Sequence, residues 1–450
     1  MLAFLIFELG SLICAVAQDS TTFIAGRAIA GLGLAGGYSG CLIIITLISP
    51  LHVRPLLTSL IGSTYGIGGC IGPIIGGAFT SKVSWRWCFY INLCFIPLLV
   101  PVILLFLKTP ERKQELTVTQ RLTRIDWLGT ALILCSTICI LLVFQWGGIK
   151  YSWSDSRIIG LIIGFTVIGA AFLVDQWYMG ERATIPFRIL KNRTIWAGSI
   201  ANFLIASSYF TELYFLPLYF QSVKGSSAIR SGVSTLPFII SVIVAVTLSG
   251  ALVNKFGHYI PILFVGTALM SVGGGCLYLL RPETQQSMWV GLQFLAGFGP
   301  GSVFMLPFLA SSAVLDVEDI ELGSAVVIFW QTMGGTITTS LAQSVFQNKF
   351  SVYIRQIPGV DANNILAHGV SAFRAFAPPS VLPAIVAAAN KAIGKTWLIV
   401  AVFGVIAFLS VFAMDLKGRI RVEDAKAAEA SKKKQRATRK DVEATGQDKS

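Results

Sequence analysis

Charge is scarce in this chain of 450 residues: Asp, Glu, Lys and Arg together make up 13%, against roughly 25% in an ordinary soluble domain. Histidine is scarcer still. His52, His258 and His368 stand far apart in the chain, so no acid, base or metal constellation of an enzyme can be built on them. The eight cysteines, Cys14, Cys41, Cys70, Cys88, Cys94, Cys135, Cys139 and Cys276, all lie inside or at the edge of apolar runs. They read as small packing residues, with neither a disulfide framework nor a thiolate metal site among them. A complete phosphate loop is missing too. Gly394-Lys395-Thr396 reproduces only its end, and Ala389 stands where its first glycine belongs, so ATP is not an expected partner. The acidic run Asp316, Glu318, Asp319, Glu321 lacks the glycine and spacing of a calcium loop and reads as a solvated turn. No metal and no cofactor are expected.

What the chain has instead is hydrocarbon. Hydrophobic residues make up 54% of it and its mean hydropathy is +0.72. Apolar runs of about twenty residues recur throughout, each long enough to cross the ~30 Å hydrocarbon layer as a helix. Twelve such spans are expected: 1–17, 21–48, 56–80, 87–107, 126–145, 157–178, 195–220, 231–253, 259–280, 287–312, 323–347 and 396–416. A soluble enzyme is thereby excluded, and the lipid bilayer becomes the first partner.

Lys and Arg orient the spans. The breaks 49–55, 108–125, 179–194, 254–258 and 313–322, with the tail 417–450, hold 22 basic residues, and the opposite set holds 12. The richer set is expected on the cytoplasmic side, with both chain ends. The formal net charge of +13 does not point to nucleic acid, because 11 of the 35 basic residues sit in the last 34 positions and no basic folded domain presents a groove. That tail reads as a disordered, lipid-facing segment. Tryptophans at Trp85, Trp87, Trp127, Trp146, Trp177, Trp196, Trp289 and Trp397 mark span ends, as amphipathic rings do at headgroup level, and Trp330 is the interior exception. The sequon Asn192-Arg193-Thr194 falls in a cytoplasmic break and should carry no glycan.

Within the spans a few residues carry chemistry. Arg27 lies well inside the second span, where a central charge costs about 2.5–3.5 kcal/mol on insertion scales. It either faces a wet cavity or counter-charge, or snorkels to the outer interface. Glu8 and Glu212 are the other intramembrane charges. Each is a candidate proton carrier, and a neutral, packed Glu8 is the competing reading. In the third span, GIGGCIGPIIGGAF, the residues Gly68, Gly72 and Gly76 recur every four positions and share one helix face, with Gly77 beside them and Pro73 removing a backbone donor. Such a bent, glycine-faced helix could rock against a neighbour, or simply pack tightly. The second span's GLGLAG matches a dinucleotide-loop pattern, but with no preceding strand that match is coincidental.

At these residues the sequence resembles the major facilitator superfamily, in particular its fourteen-span drug:proton antiporters. Arg27, Gly31 and Gly33 match the fourth-helix motif, with Ala30 in place of the usual glutamine. Gly68, Gly72, Pro73, Gly76 and Gly77 match the fifth-helix antiporter motif. SGALVNKFGHYIP resembles the loop motif that recurs in each half, placing Gly250, Asn254, Lys255, Gly257 and His258 in a gate, with Asn254 where aspartate is common. YFLPLYFQSVKGSSAIRSGVSTLP is similar to the ninth and tenth helices of fungal members.

The resemblance implies an all-α polytopic membrane protein of the major facilitator fold that lacks the family's first two spans. Its expected parts are an incomplete N-terminal bundle of four spans (1–107), a cytoplasmic linker with two inserted spans (108–178), a C-terminal six-helix bundle with an extracellular loop 348–395 (179–416), and the basic tail (417–450). It implies secondary active export of a small amphipathic compound (drug, toxin or secondary metabolite) in exchange for protons, through a multi-pass protein of the plasma or vacuolar membrane. The alternatives are a vacuolar transporter of basic amino acids and a non-transporting remnant. Arg27 and Glu212 both fall in the outer third of their spans, so they are expected to approach across a cavity, although each could face headgroups separately. Phe203, Tyr209, Phe210, Tyr214 and Phe215 suit a lipophilic substrate.

Overall fold

The computed structural model describes residues 1–49, 53–106, 125–315, 319–358, 360, 362, 365 and 373–415. The linker 108–124, the tail 417–450, and His52, Asp316, Glu318 and His368 lie outside them, as do the side chains of Leu47, Cys70, Pro73, Ser81, Phe106, Ala375 and Phe376. The first helices are α1 (Leu2–Val16), α2 (Ser20–Ile48), α3 (Arg54–Lys82), α4 (Trp87–Phe106), α5 (Trp127–Trp146), α6 (Ser156–Met179) and the single turn α7 (Phe187–Leu190). They are followed by α8 (Arg193–Ser222), α9 (Ala228–Ser234), α10 (Leu236–Phe256), α11 (Ile260–Leu277), α12 (Gln286–Val303) and α13 (Leu306–Val314). The chain closes with α14 (Ile320–Arg355), the turn α15 (Phe373–Phe376) and α16 (Leu382–Phe412). Among the described residues there is no sheet, only an isolated bridge between Gly147 and Tyr151.

Local chemistry sets the helix boundaries. Asp19 accepts from the Thr22 amide at 2.6 Å, Asp126 from Gly129 at 2.7 Å and Asn192 from Thr194 at 3.0 Å, each satisfying an amide that a first turn leaves unpaired. Gly257 ends α10 at φ 74°, a left-handed conformation that glycine adopts without a Cβ penalty. Pro97 and Pro101 lie inside α4, Pro217 inside α8 and Pro300 inside α12.

Each of the twelve expected apolar runs overlaps a helix, or an abutting pair (α9 with α10, α12 with α13); the last differs in extent, because α16 begins at Leu382, inside the expected loop 348–395, and Trp397, expected at a span end, is mid-helix and buried in the core. Among the described residues, nine helical segments are long and apolar enough to cross a membrane. Three runs are not among the nine. Helix α1 has 15 residues, about 22 Å of rise. Helices α8 and α14 are long, but polar residues dilute them: Ser199, Asn202, Ser207, Ser208, Thr211 and Glu212 on α8, Ser324, Gln331, Thr338 and Ser344 on α14, all buried. These two helices form the inside of the bundle and α4, with no buried residue in its apolar window, lies on the outside. Lipid meets apolar faces, and the polar side chains are turned away from it.

Two bodies result. In one, α1 crosses α2 closely and leans on α4; in the other, α8 packs against α14 and α16 while α10, α11 and α12 form a second layer. The core of the second body centres on Phe215, Tyr219, Phe346, Phe350 and Trp397. The α5–α6 hairpin packs on α14, through Phe172, Ile185 and Val326. A polar latch fixes its base. The buried Asp126 carboxylate accepts from Gln176 Nε2 at 2.7 Å, Thr184 Oγ1 at 2.9 Å and the Thr184 amide at 3.1 Å, and Gln176 accepts from the Ile185 amide. Burial by itself pushes the Asp126 pKa up. The hydrogen bonds from Gln176, Gly129 and Thr184 outweigh it, and the carboxyl titrates below its ordinary range.

Loop contacts agree with a chain threaded back and forth. At one end Arg188 holds Asp319 in a bidentate pair at 2.6 and 2.8 Å, Arg193 donates to the carbonyls of Phe412 and Ala413, and Arg54 donates to Thr46 and Ser49. At the other end Arg86 donates to Ala17, Lys224 to Pro282 and Thr284, and Arg374 to Ser222 and Val223. Each contact joins loops of the same expected set.

Candidate functional site

The two bodies meet along α3. Ser63 hydrogen-bonds Thr247 of α10 at 2.8 Å, Gly62 and Gly66 receive Val246 and Ile243, and Gly77 receives Ile229 and Ala228. A Cβ at Gly250 would overlap Ser59 Oγ, so only glycine lets α10 approach this far. The packed face of α3 is therefore Ser59, Gly62, Ser63 and Gly66, with Gly77 at the far end. Gly68, Gly72 and Gly76 have open space where a Cβ would point, so the face marked by four-residue spacing is not the one that meets the second body. The bend expected at Pro73 rests on a side chain outside the described set.

Near mid-span an aromatic cluster with one amide bridges this seam. From α2 and α3 come Tyr38 and Tyr65, with ring centroids 6.0 Å apart. From the second body come Tyr209 and Phe210 of α8, Phe304 between α12 and α13, and Gln331 of α14. Tyr65 stacks on Phe304 at 6.3 Å and meets Phe210 edge-on at 6.4 Å; Tyr209 lies 5.0 Å from Phe304. Tyr38 donates to Gln331 Oε1 at 3.3 Å across the seam. The Tyr209 hydroxyl is buried without a hydrogen-bond partner, a group free to pair with an incoming ligand. No charged side chain belongs to the cluster. Towards the Arg188–Asp319 end the seam closes on an apolar plug in which Leu42 meets Phe308, Val327 and Ile328, flanked by Tyr38 and Ile61.

The expected charges are placed differently. Arg27 lies eleven residues before Tyr38 on nearly the same face of α2, about 16 Å along its axis. It is exposed, with its guanidinium 5.9 Å from the Phe89 ring. Glu212, one turn beyond Ser208 on α8, is 0% exposed inside the second body, with the Ser208 hydroxyl as the polar group beside its carboxyl. The structure does not bring Arg27 and Glu212 together. Both Glu8 oxygens are buried without partners. Gly31 has open space beside it, and Gly33 sits against the Phe7 amide where α1 crosses α2. Of the loop motif, Asn254 is half-buried and Lys255 and His258 are exposed.

Of the expected aromatics, Tyr209 and Phe210 join the seam cluster, while Phe215 packs on Phe346 and Trp397 in the core and Tyr214 is 48% exposed. Phe203 meets Trp330 edge-on at 6.3 Å, beside Gln331. Sequence reasoning missed Tyr38, Tyr65, Phe304 and Gln331. The interior Trp330 was the signal that came nearest.

Comparison with known proteins places this geometry. The family described as Major Facilitator Superfamily matches residues 1–339. The chain is 41% identical over 420 residues to "MFS-type efflux pump MFS1" of Arthroderma benhamiae, covering 93% of this chain and 78% of that one. It is 40% identical over 414 residues to "Aspyridones efflux protein" of Neocamarosporium betae, covering 91% and 73%, and 39% identical over 419 residues to "Efflux pump roqT" of Penicillium rubens, covering 92% and 77%. A bacterial homolog of the human lysosomal transporter Spinster, in an inward-facing and occupied conformation, superposes with a TM-score of 0.56 at 16% identity, covering 93% of this chain and 82% of that one.

Proposed function

The chain belongs to the major facilitator superfamily, and on that footing we propose that it exports a small, flat, amphipathic compound across the plasma membrane in exchange for protons, with its tail in the cytoplasm. The relatives named as efflux pumps support the direction of transport. The observation that carries the reading is the uncharged cluster at the seam. Tyr38, Tyr65, Tyr209, Phe210 and Phe304 offer stacking surfaces, and Gln331 with two tyrosine hydroxyls offers the few polar contacts that orient a ligand. A basic amino acid would demand a carboxylate there, and none belongs to the cluster among the described residues. Because the cluster is built from both bodies, a ligand in it is released when they rock apart at one end.

Proton coupling is assigned to Glu212. Its carboxyl is enclosed in the body that supplies Tyr209 and Phe210, so gaining or losing a proton changes the charge within that body's core. The test uses the full chain in proteoliposomes with an imposed pH gradient and a panel of lipophilic compounds. Export should dissipate the gradient. Removing Gln331 (Q331A) should lower apparent affinity about tenfold, the value of one hydrogen bond of ~1.4 kcal/mol. Glu212→Gln should keep compound binding and lose gradient dissipation. Export that continues unchanged after a protonophore removes the gradient would refute the coupling, and binding indifferent to Tyr38→Ala and Gln331→Ala would refute the site.

A further inference from the structure

On the outer face of the second body, away from the seam, α10, α11 and α12 leave an apolar groove of about 250 Å³. Small residues make it. Ala245, Ser249, Gly266 and Ser302 line its floor, and a Cβ at Gly266 would overlap Ser302 Oγ, so the helices draw together there with little side chain between them. The two floor hydroxyls are turned back on their own helices, Ser249 donating to Val246 at 3.0 Å and Ser302 to Gly299 at 2.8 Å. The floor therefore presents hydrocarbon. Leu248 and Val265 stand on the rim, 46% and 61% exposed. The residues of α10 that meet α3 (Ile243, Thr247 and Gly250) lie on its other side, so the groove does not open into the seam cluster. From Ala245 to Leu252 it runs about 10 Å along α10, within the ~15 Å depth of one leaflet.

The groove opens beside the turn Lys255–His258, at the end of the molecule that carries Arg188 and Arg193. Lys255 is exposed, its ammonium 5.5 Å from the Phe256 ring, and no described carboxylate lies within ion-pair distance of it. His258, also exposed, pairs Nδ1 with the Phe256 carbonyl at 2.8 Å. Among the described residues, one cation without an ion-pair partner, Lys255, with the His258 ring beside it, thus stands where the apolar trough meets the headgroup layer.

We propose that this trough is a binding site for an anionic glycerophospholipid of that leaflet, with one acyl chain along the groove and the phosphate on the Lys255 ammonium beside the His258 ring. Charge complementarity selects the lipid: a zwitterionic head brings its own cation up to the Lys255 ammonium, and an anionic head does not. The inference stands apart from the transport reading, since it concerns the opposite face of α10.

The experiment is native mass spectrometry of the full chain released from nanodiscs holding equal phosphatidylglycerol and phosphatidylcholine of the same acyl chains. The wild type should retain one phosphatidylglycerol per chain, preferred about tenfold. The double variant Lys255→Gln, His258→Gln should retain either lipid equally. Ser249→Leu, which fills the floor, should retain neither at unchanged helical content; if that variant does not fold, the double variant decides alone. Equal retention of the two lipids by the wild type, or undiminished preference in the double variant, would overturn the assignment. So would stoichiometric displacement of the lipid by an exported compound, which would give the groove to the compound instead.

Discussion

Replacing Asp126 with Asn isolates the latch at the base of the α5–α6 hairpin. The carboxylate is 5% exposed and accepts four hydrogen bonds, from the Gly129 and Thr184 amides, Thr184 Oγ1 and Gln176 Nε2. An isosteric amide keeps one oxygen and turns a donor towards at least one of those donors. Oδ1 accepts only from the Gly129 amide and Oδ2 accepts the other three, so the better orientation of the amide loses one bond and strips the remaining three of their charge assistance, at an expected cost of about 2–4 kcal/mol. The sign with pH follows from the depressed folded-state pKa. Stability from this group is fully present above the unfolded value near 3.9 and is lost as pH falls through the folded value. The purified chain should therefore melt several degrees below wild type at pH 7, and the difference between the two proteins should hold down to about pH 5 and shrink below about pH 4. A variant that melts with wild type at neutral pH, or a gap that widens on acidification, would refute the reasoning.

Gly250→Ala should cost about 1–3 kcal/mol by overpacking against Ser59 and the Pro55 carbonyl, and Ser59→Gly in the same chain should recover part of it; additive losses in a thermal melt would exclude the Ser59 contact. Leu42→Ala empties part of the plug formed with Phe308, Val327 and Ile328, at about 2–5 kcal/mol. A cysteine at Tyr38 should then react faster with a thiol reagent applied from the Arg188–Asp319 end, and an unchanged rate would show that the plug is not the barrier.

The spans were legible because lipid imposes a single requirement on twenty consecutive residues, and composition records it directly. Helix phase was not. Helix α3 carries glycine at 62, 66, 68, 69, 72, 76 and 77, so small residues run almost all round it and spacing alone does not choose a face. The choice is made by α10, through Gly250 and Thr247. Tyr38 and Tyr65 escaped for the same reason: nothing in their own helices says which side meets the second body. Glu212 was visible as a charge in an apolar run, but its enclosure among α8, α14 and α16 is a property of three distant segments. The place of the α5–α6 hairpin against α14 is likewise fixed by tertiary contacts such as Phe172 with Val326.

The polar interiors of α8 and α14 bear on anyone mapping this chain with reporter fusions. The nine segments that pass on oiliness and length form an odd number, and an odd number of crossings would assign the beginning of α1 and the end of α16 to opposite compartments. The structure puts them at the same end, because three crossings fail that criterion: one is short, and two turn their hydrophilic side chains inward. A fusion series anchored on α2 and guided by oiliness alone would skip α8 and invert every junction from there until α14, skipped in turn, restores the phase, and the error would arise from the two helices that form the centre of the machine.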